Sequence, residues 1–334
     1  MAWNAGWSSL AMGIGTPLCY FFSFRVFGQR LKLAFDHFNV LTLPQMLEKR
    51  YDSRAVRVIS AVAIGLGGSL VAQFKATGEI FSAILGTDYP AGLLIGSVIV
   101  GIYCIMGGYL ASVWTDFIQG IIMVFGSVAI FAATAHAAFG GLSPDLLSQL
   151  NAALGSIDPN LLDITGGGKM SWSNLFIILA ITMLVGIAMP QQSVAIFSMR
   201  DVRTARVAMI VCVVFSAILA WSLALTGMMS HMVLDPADVK NPDLVIPLLI
   251  PRVLSPLLGG IYLAAVLAAI MSTVSGSIVV AASSLTEDIF KLAIPERYNR
   301  SPMFYNRVGS TIFVLLPLLL AVKPPAIIFW IGVF

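Results

Sequence analysis

Along the chain, apolar residues gather into runs near 5–25, 58–84, 91–110, 116–138, 172–194, 205–230, 257–286 and 308–322, with charged, proline or glycine breaks between them. A further run opens at 326–334. A helix needs roughly 20 predominantly apolar residues to cross the hydrocarbon of a bilayer, and these runs are of that order. Nothing alternates apolar and polar over the roughly 10 residues of a membrane β-strand. The pattern predicts an all-α polytopic membrane protein: one transmembrane domain over 1–334, with eight membrane helices and a stub. The first run starts almost at Met1 and the last has barely begun at Phe334, so the domain is expected to be incomplete at both ends.

The breaks carry their own signals. Residues 139–171 hold Pro144, Pro159 and Gly166 to Gly168, which predicts a surface loop with one short helix near 144–153. Five prolines between 231 and 256 limit 244–253 to a short interfacial helix. Residues 1–25 lack the basic start and small-residue cleavage site of a signal peptide.

Composition agrees with the pattern. Apolar residues make up 58% and charged residues 10% of the 334, against about 25% charged in soluble domains. Mean hydropathy is +0.93. A net charge of +3 gives no basic stripe for nucleic acid. Position matters more than the total. If the runs alternate across the bilayer, segments 25–57, 107–115, 195–207 and 286–307 share a side and hold fourteen of the nineteen Lys and Arg residues. The positive-inside rule makes these loops cytoplasmic in a multi-pass protein of the inner, plasma membrane. Cys19, Cys104 and Cys212 all lie inside apolar runs, as small buried hydrophobes do.

Ionisable groups at bilayer depth cost roughly 2.5–3.5 kcal/mol on insertion scales, so each needs a reason. Lys75 and Glu79, four apart, lie on one helical face and can neutralise each other; the alternative is a substrate contact, with Gln73 beside them. Asp116 opens the fourth run, where it either satisfies first-turn amides or offers a carboxylate to a hard monovalent cation. In the seventh run Ala269, Ser272, Thr273 and Gly276 share a face by 3–4 spacing. Small residues there suit close helix packing, the reading that composition alone favours, and hydroxyls with freed carbonyls also suit sodium. His37, His136 and His231 sit at run ends or in a loop, where interfacial hydrogen bonding is expected. No Ser/His/Asp, Cys/His or phosphate-loop constellation appears, so the chain reads as a non-enzyme without cofactor.

Three stretches carry a resemblance: Leu41-Thr-Leu-Pro-Gln-Met-Leu-Glu-Lys-Arg-Tyr51, Gly107-Gly-Tyr-Leu-Ala-Ser-Val-Trp-Thr-Asp-Phe-Ile-Gln119, and Ala268-Ala-Ile-Met-Ser-Thr273 followed by Leu285-Thr-Glu-Asp-Ile-Phe-Lys291. With them the chain resembles the solute:sodium symporter family over nearly its whole length. The stretches 156–161, 241–247 and 323–330 point to the sodium/pantothenate branch. The resemblance implies a LeuT-like fold of two inverted five-helix repeats, with alternating access driven by sodium. It implies a sodium site on the Ala269 carbonyl and the Ser272 and Thr273 hydroxyls. Asp116 and Ser275, with Ser272, match an additional sodium site of some members, which tend to carry a hydroxyl where Gly276 stands here. Gln73, Lys75, Pro190 and Gln191 are the candidate substrate contacts. Pro190 keeps the family's mid-helix break, while Gln191 and Ala195 replace a His and an Arg frequent in relatives, and Glu79 replaces an Arg.

The implied function is sodium-coupled symport of a small organic acid, most closely pantothenate. The alternatives are another carboxylate or amino acid, of the proline or monocarboxylate type, or a symporter-like membrane sensor attached to a histidine kinase. The implied partners are sodium, the organic acid and the bilayer. The family's first core helix, which completes the sodium site, would precede residue 1, and its last would follow residue 334. The expectation is therefore a fragment that does not transport alone.

Overall fold

In the computed structural model the apolar runs are helices, and residues 2–65, 69–168, 170–239 and 245–322 are described, with no strand among them. The stub at 326–334, the motif at 323–330 and most of 241–247 fall outside the described residues. In chain order the principal helices are α1 (Leu10–Phe22), α2 (Gln29–Phe38), α3 (Leu43–Tyr51), α4 (Arg54–Gly65), α5 (Ser69–Leu85), α6 (Tyr89–Phe139), α7 (Leu146–Ile157), α8 (Trp172–Ala188), α9 (Pro190–Phe197), α10 (Val202–Met229), α11 (Val245–Val253), α12 (Pro256–Ser283) and α13 (Pro302–Val322). Five described stretches are long and apolar enough to cross a membrane, and a sixth is the bent pair Ala2–Ser9 and Gly13–Phe38 taken as one span.

The 51-residue α6 is about 75 Å of helix at 1.5 Å per residue, more than twice the hydrocarbon thickness. It holds two spans because Gly108 breaks it, with φ 58° and ψ −148°, a region that only glycine enters without strain. This corrects the expected loop at 107–115, which is helical on both sides of that single residue. The segments 25–57, 195–207 and 286–307 are likewise largely helical. Backbone hydrogen bonding continues past the point where side chains become polar, so apolar runs mark the membrane limits and not the helix ends. Asp201, for example, starts α10 by accepting the Thr204 amide at 2.6 Å.

Other expectations fit closely. The short helix of the 139–171 loop is α7, and the proline-limited helix is α11. The expected break before Pro190 is found at Met189, which is not helical. All three cysteines are free, with Cys19 and Cys104 buried. His136 Nδ1 lies 3.1 Å from the Gly140 carbonyl, and His231 stacks on Trp3 with Nε2 2.7 Å from the Trp3 carbonyl oxygen.

The chain divides into two compact units. The first holds residues 1–29, 122–189 and 201–265. Its core includes Leu150 and Leu154 of α7 with Met228 and Met229 of α10, and Trp7 packs on it while donating to Asn151 at 2.8 Å. The second holds 30–121, 190–200 and 266–334, with a core of Phe74, Leu93, Val100, Val274, Ile278 and Phe313. Lipid is as apolar as leucine, so helices in a membrane associate through close packing more than through water exclusion. The second unit shows how: a Cβ added to Gly92 of α6 would meet the Ser82 amide nitrogen of α5 at 2.5 Å, and one on Gly96 would meet Thr77 at 2.4 Å. Gly92 lets α5 and α6 touch backbone to backbone, and Gly96 makes room for the Thr77 side chain.

Candidate functional site

The second unit gathers the oxygen-bearing residues of α12. Ser272 and Thr273 each donate to the Ala269 carbonyl at 3.0 Å, since residues three and four apart lie on one face. Such back-bonding is ordinary in membrane helices. Here it clusters three neutral oxygens and leaves the hydroxyl lone pairs directed away from the helix. Thr273 is exposed and Ser272 half-buried, so the cluster faces open space.

One turn further on, Ser277 donates to the Thr273 carbonyl at 2.9 Å and receives the Gln191 amide of α9 at 2.6 Å. Gln191 Oε1 is buried without a partner among the described residues. The structure thus ties Gln191 to Ser277, one turn from the Ala269, Ser272 and Thr273 cluster, across 86 residues of sequence. Pro190, half-buried, opens α9 directly before it.

A second cluster lies between α6 and α12. Ser275 donates to Asp116 Oδ1 at 3.0 Å and to the Ser272 carbonyl at the same distance. Ser112, fully buried, reaches Asp116 Oδ2 at 3.4 Å and the Ser275 hydroxyl at 3.3 Å. Tyr103 closes the same contact by donating to the Met271 carbonyl at 3.2 Å. The reading of Asp116 as a first-turn cap is corrected here: the helix restarts after Gly108, so Asp116 sits two turns inside and its partners are hydroxyls, not orphan amides. Ser112 was missed in the sequence. Its position four residues before Asp116, on the same face, was the available signal. Together the two clusters offer one carboxylate and several neutral oxygens, a donor set suited to a hard monovalent cation. Among the described residues there is no group of His, Cys, Asp and Glu that would hold a transition metal.

Gln73 and Lys75 remain on α5. Lys75 pairs with Glu79 at 3.5 Å, as the spacing predicts, and Gln73 is half-buried beside the face that carries Phe74. At the far end of the α12 segment, Arg57 of α4 forms a buried junction that the sequence reading did not single out. Its guanidinium donates to Asp288 at 3.0 Å, to Glu48 at 2.8 Å and to the Glu287 carbonyl at 2.7 Å. Thr42, which also caps α3, donates to Asp288 at 2.8 Å. Asp288 lies in a π-helical stretch, Ser284–Phe290, that continues α12.

Residues 1–333 match the profile of the Sodium:solute symporter family. The chain is 29% identical over 339 residues to the sodium/pantothenate symporter of Haemophilus influenzae, covering 99% of this chain and 68% of that protein. It is 30% identical to the Escherichia coli sodium/pantothenate symporter, covering 99% and 67%. The osmoregulated proline transporter OpuE of Bacillus subtilis is 25% identical over 96% of this chain and 65% of its own length. Among solved structures, the substrate-bound outward-open state of a Na+-coupled sialic acid symporter superposes with a TM-score of 0.73 at 20% identity, covering 99% of this chain and 76% of that one. The shared fold is the LeuT-like bundle.

Proposed function

The chain belongs to the sodium:solute symporter family, transporters and not enzymes, and from that premise we propose that it serves sodium-coupled uptake of pantothenate across the plasma membrane, with the largely helical segments 25–57, 107–115, 195–207 and 286–307 on the cytoplasmic side. The observation that carries the reading is the cluster at Ala269, Ser272 and Thr273, where one carbonyl and two hydroxyls converge on an open face of α12. These three oxygens bind the coupling sodium. Asp116, Ser275 and the buried Ser112 form a second cation site beside it.

Gln191 links ion and substrate. Its amide is tied to Ser277, one turn from Thr273, and its unpartnered oxygen is free to accept from a hydroxyl or amide of the bound acid. Pantothenate carries such donors as well as its carboxylate. Lys75, already paired at 3.5 Å, and Gln73 are secondary contacts for that carboxylate. Similarity to a proline transporter supports a second reading, in which the substrate is an amino acid.

Uptake of labelled pantothenate into vesicles, with each substitution made in the full-length protein, tests both. Ser272→Ala and Thr273→Ala are each expected to raise the sodium concentration for half-maximal uptake about tenfold, the loss of one charge-assisted contact of roughly 1.4 kcal/mol. An unchanged sodium dependence would remove these residues from the site. Uptake of labelled proline that unlabelled pantothenate does not inhibit, with no uptake of labelled pantothenate, would decide for the amino acid.

A further inference from the structure

A cavity of about 470 Å³ opens in the second unit between the end of the first span of α6 and the start of α13. Nothing in the transport reading uses it. Its walls are apolar, with Ile105 and Met106 on one side and Met303 on the other. Three polar side chains also line it: Asn306, whose Oδ1 accepts from Thr286 at 2.7 Å, Ser310 and Arg307. Ser310 is only 6% exposed, yet its hydroxyl has no hydrogen-bond partner among the described residues. Arg307 has no ion pair or side-chain hydrogen bond among them either. No Asp or Glu lines the cavity. The wall at Gly108 is bare backbone, where an added Cβ would meet nothing within 4 Å.

Arg307 is exposed, and with the Ser310 hydroxyl and no carboxylate in the wall it gives the cavity donors for an acceptor that carries negative charge. The walls say what the charge is attached to. Met106 is 73% and Met303 69% exposed at its mouth, a rim suited to hydrocarbon. The level is also right: Arg307 begins the apolar part of α13, where a span meets the headgroup layer. Basic pockets between membrane helices take anionic headgroups by this chemistry.

We propose that this cavity binds the phosphodiester head of an anionic phospholipid. Arg307 pairs with the phosphate, the Ser310 hydroxyl donates to a phosphate oxygen, and Ile105, Met106 and Met303 line the path of the first acyl carbons. The bound lipid ties the break in α6 to the start of α13 and is separate from the ion and substrate clusters.

The test is lipid retention by the delipidated protein in detergent, re-supplied with phosphatidylglycerol or with phosphatidylcholine of the same chains and read by native mass spectrometry. The wild type is expected to retain phosphatidylglycerol about tenfold more than phosphatidylcholine, and Arg307→Gln to lose that preference. Arg307→Lys should keep most of it. Arg300→Gln removes an exposed basic residue outside the cavity and should change nothing. If Arg307→Gln does not fold, Met303→Trp, which fills the cavity and keeps the charge, should abolish retention. Equal retention of the two lipids by the wild type, or an unchanged preference in Arg307→Gln or Met303→Trp, overturns the proposal. So does displacement of phosphatidylglycerol by millimolar inorganic phosphate, which would assign the cavity to a free anion.

Discussion

Replacing Arg57 with methionine removes the cation that pairs with Asp288 at the end of α12. Its side chain is 11% exposed and that of Asp288 is fully buried, so the carboxylate would be left without charge compensation, with the Thr42 hydroxyl and the Gln45 amide as its neutral donors. Removing one member of a buried pair costs about 3–5 kcal/mol, mostly the penalty of the stranded charge. The contact to Glu48, itself 21% exposed, adds little because water reaches it. The double replacement Arg57→Met with Asp288→Leu removes the stranded charge as well. A buried pair is often no better than well-packed apolar residues, and Asp288 Oδ2 lacks any partner among the described residues, so this pair is not fully satisfied. The double variant should therefore recover at least half of the loss, a coupling of about 2 kcal/mol or more. Equilibrium unfolding in mixed micelles, followed by circular dichroism, measures all four corners of the cycle. A cost below about 1 kcal/mol for Arg57→Met, or a double variant as unstable as the sum of the two singles, would show that the junction is wet and the reasoning wrong.

Three further outcomes are expected. Gly108→Ala should destabilise by about 1–3 kcal/mol in the same unfolding assay although its surroundings are empty, because the cost is backbone strain at φ 58° and not a clash. Gly276→Ser should fold normally, since a Cβ there meets only Gln191 Cγ at 3.8 Å, and should steepen the sodium dependence of uptake; an unchanged slope would argue against a second ion beside Asp116. In the loop, the Thr165 hydroxyl and then the Thr165 and Gly167 amides hold Asp163 below the usual carboxylate range. A depressed carboxylate stabilises its turn above its unfolded value and releases it as pH falls through the folded one. Amide exchange at Gly167 should therefore stay protected at neutral pH and lose protection only in acid, below the ordinary Asp range.

Much of the fold was legible because it rests on local rules. Apolar runs gave the helices, prolines limited α11 and opened α9, and 3–4 spacing set Ala269, Ser272 and Thr273 on one face. The misreadings share one cause. At 107–115, paired glycines followed by Ser112, Thr115 and Asp116 look like a polar loop between two spans. In the structure these residues are helical, and Ser112 and Asp116 meet Ser275 across 163 and 159 residues of sequence. A polar residue in a membrane helix is read as surface until its partner is known.

By itself, then, the sequence determined that this is a helical membrane chain, where most of its spans run, and that Ala269, Ser272 and Thr273 share one helical face. Only the tertiary structure decided that Ser112 joins Asp116, that Gln191 is tied one turn from Thr273, that Arg57 closes on Asp288, and that Arg307 and Ser310 share a cavity. The physical reason is range: helix formation and burial are written in residues three and four apart, whereas the desolvation cost of a polar group is met by a partner whose distance along the chain nothing local records.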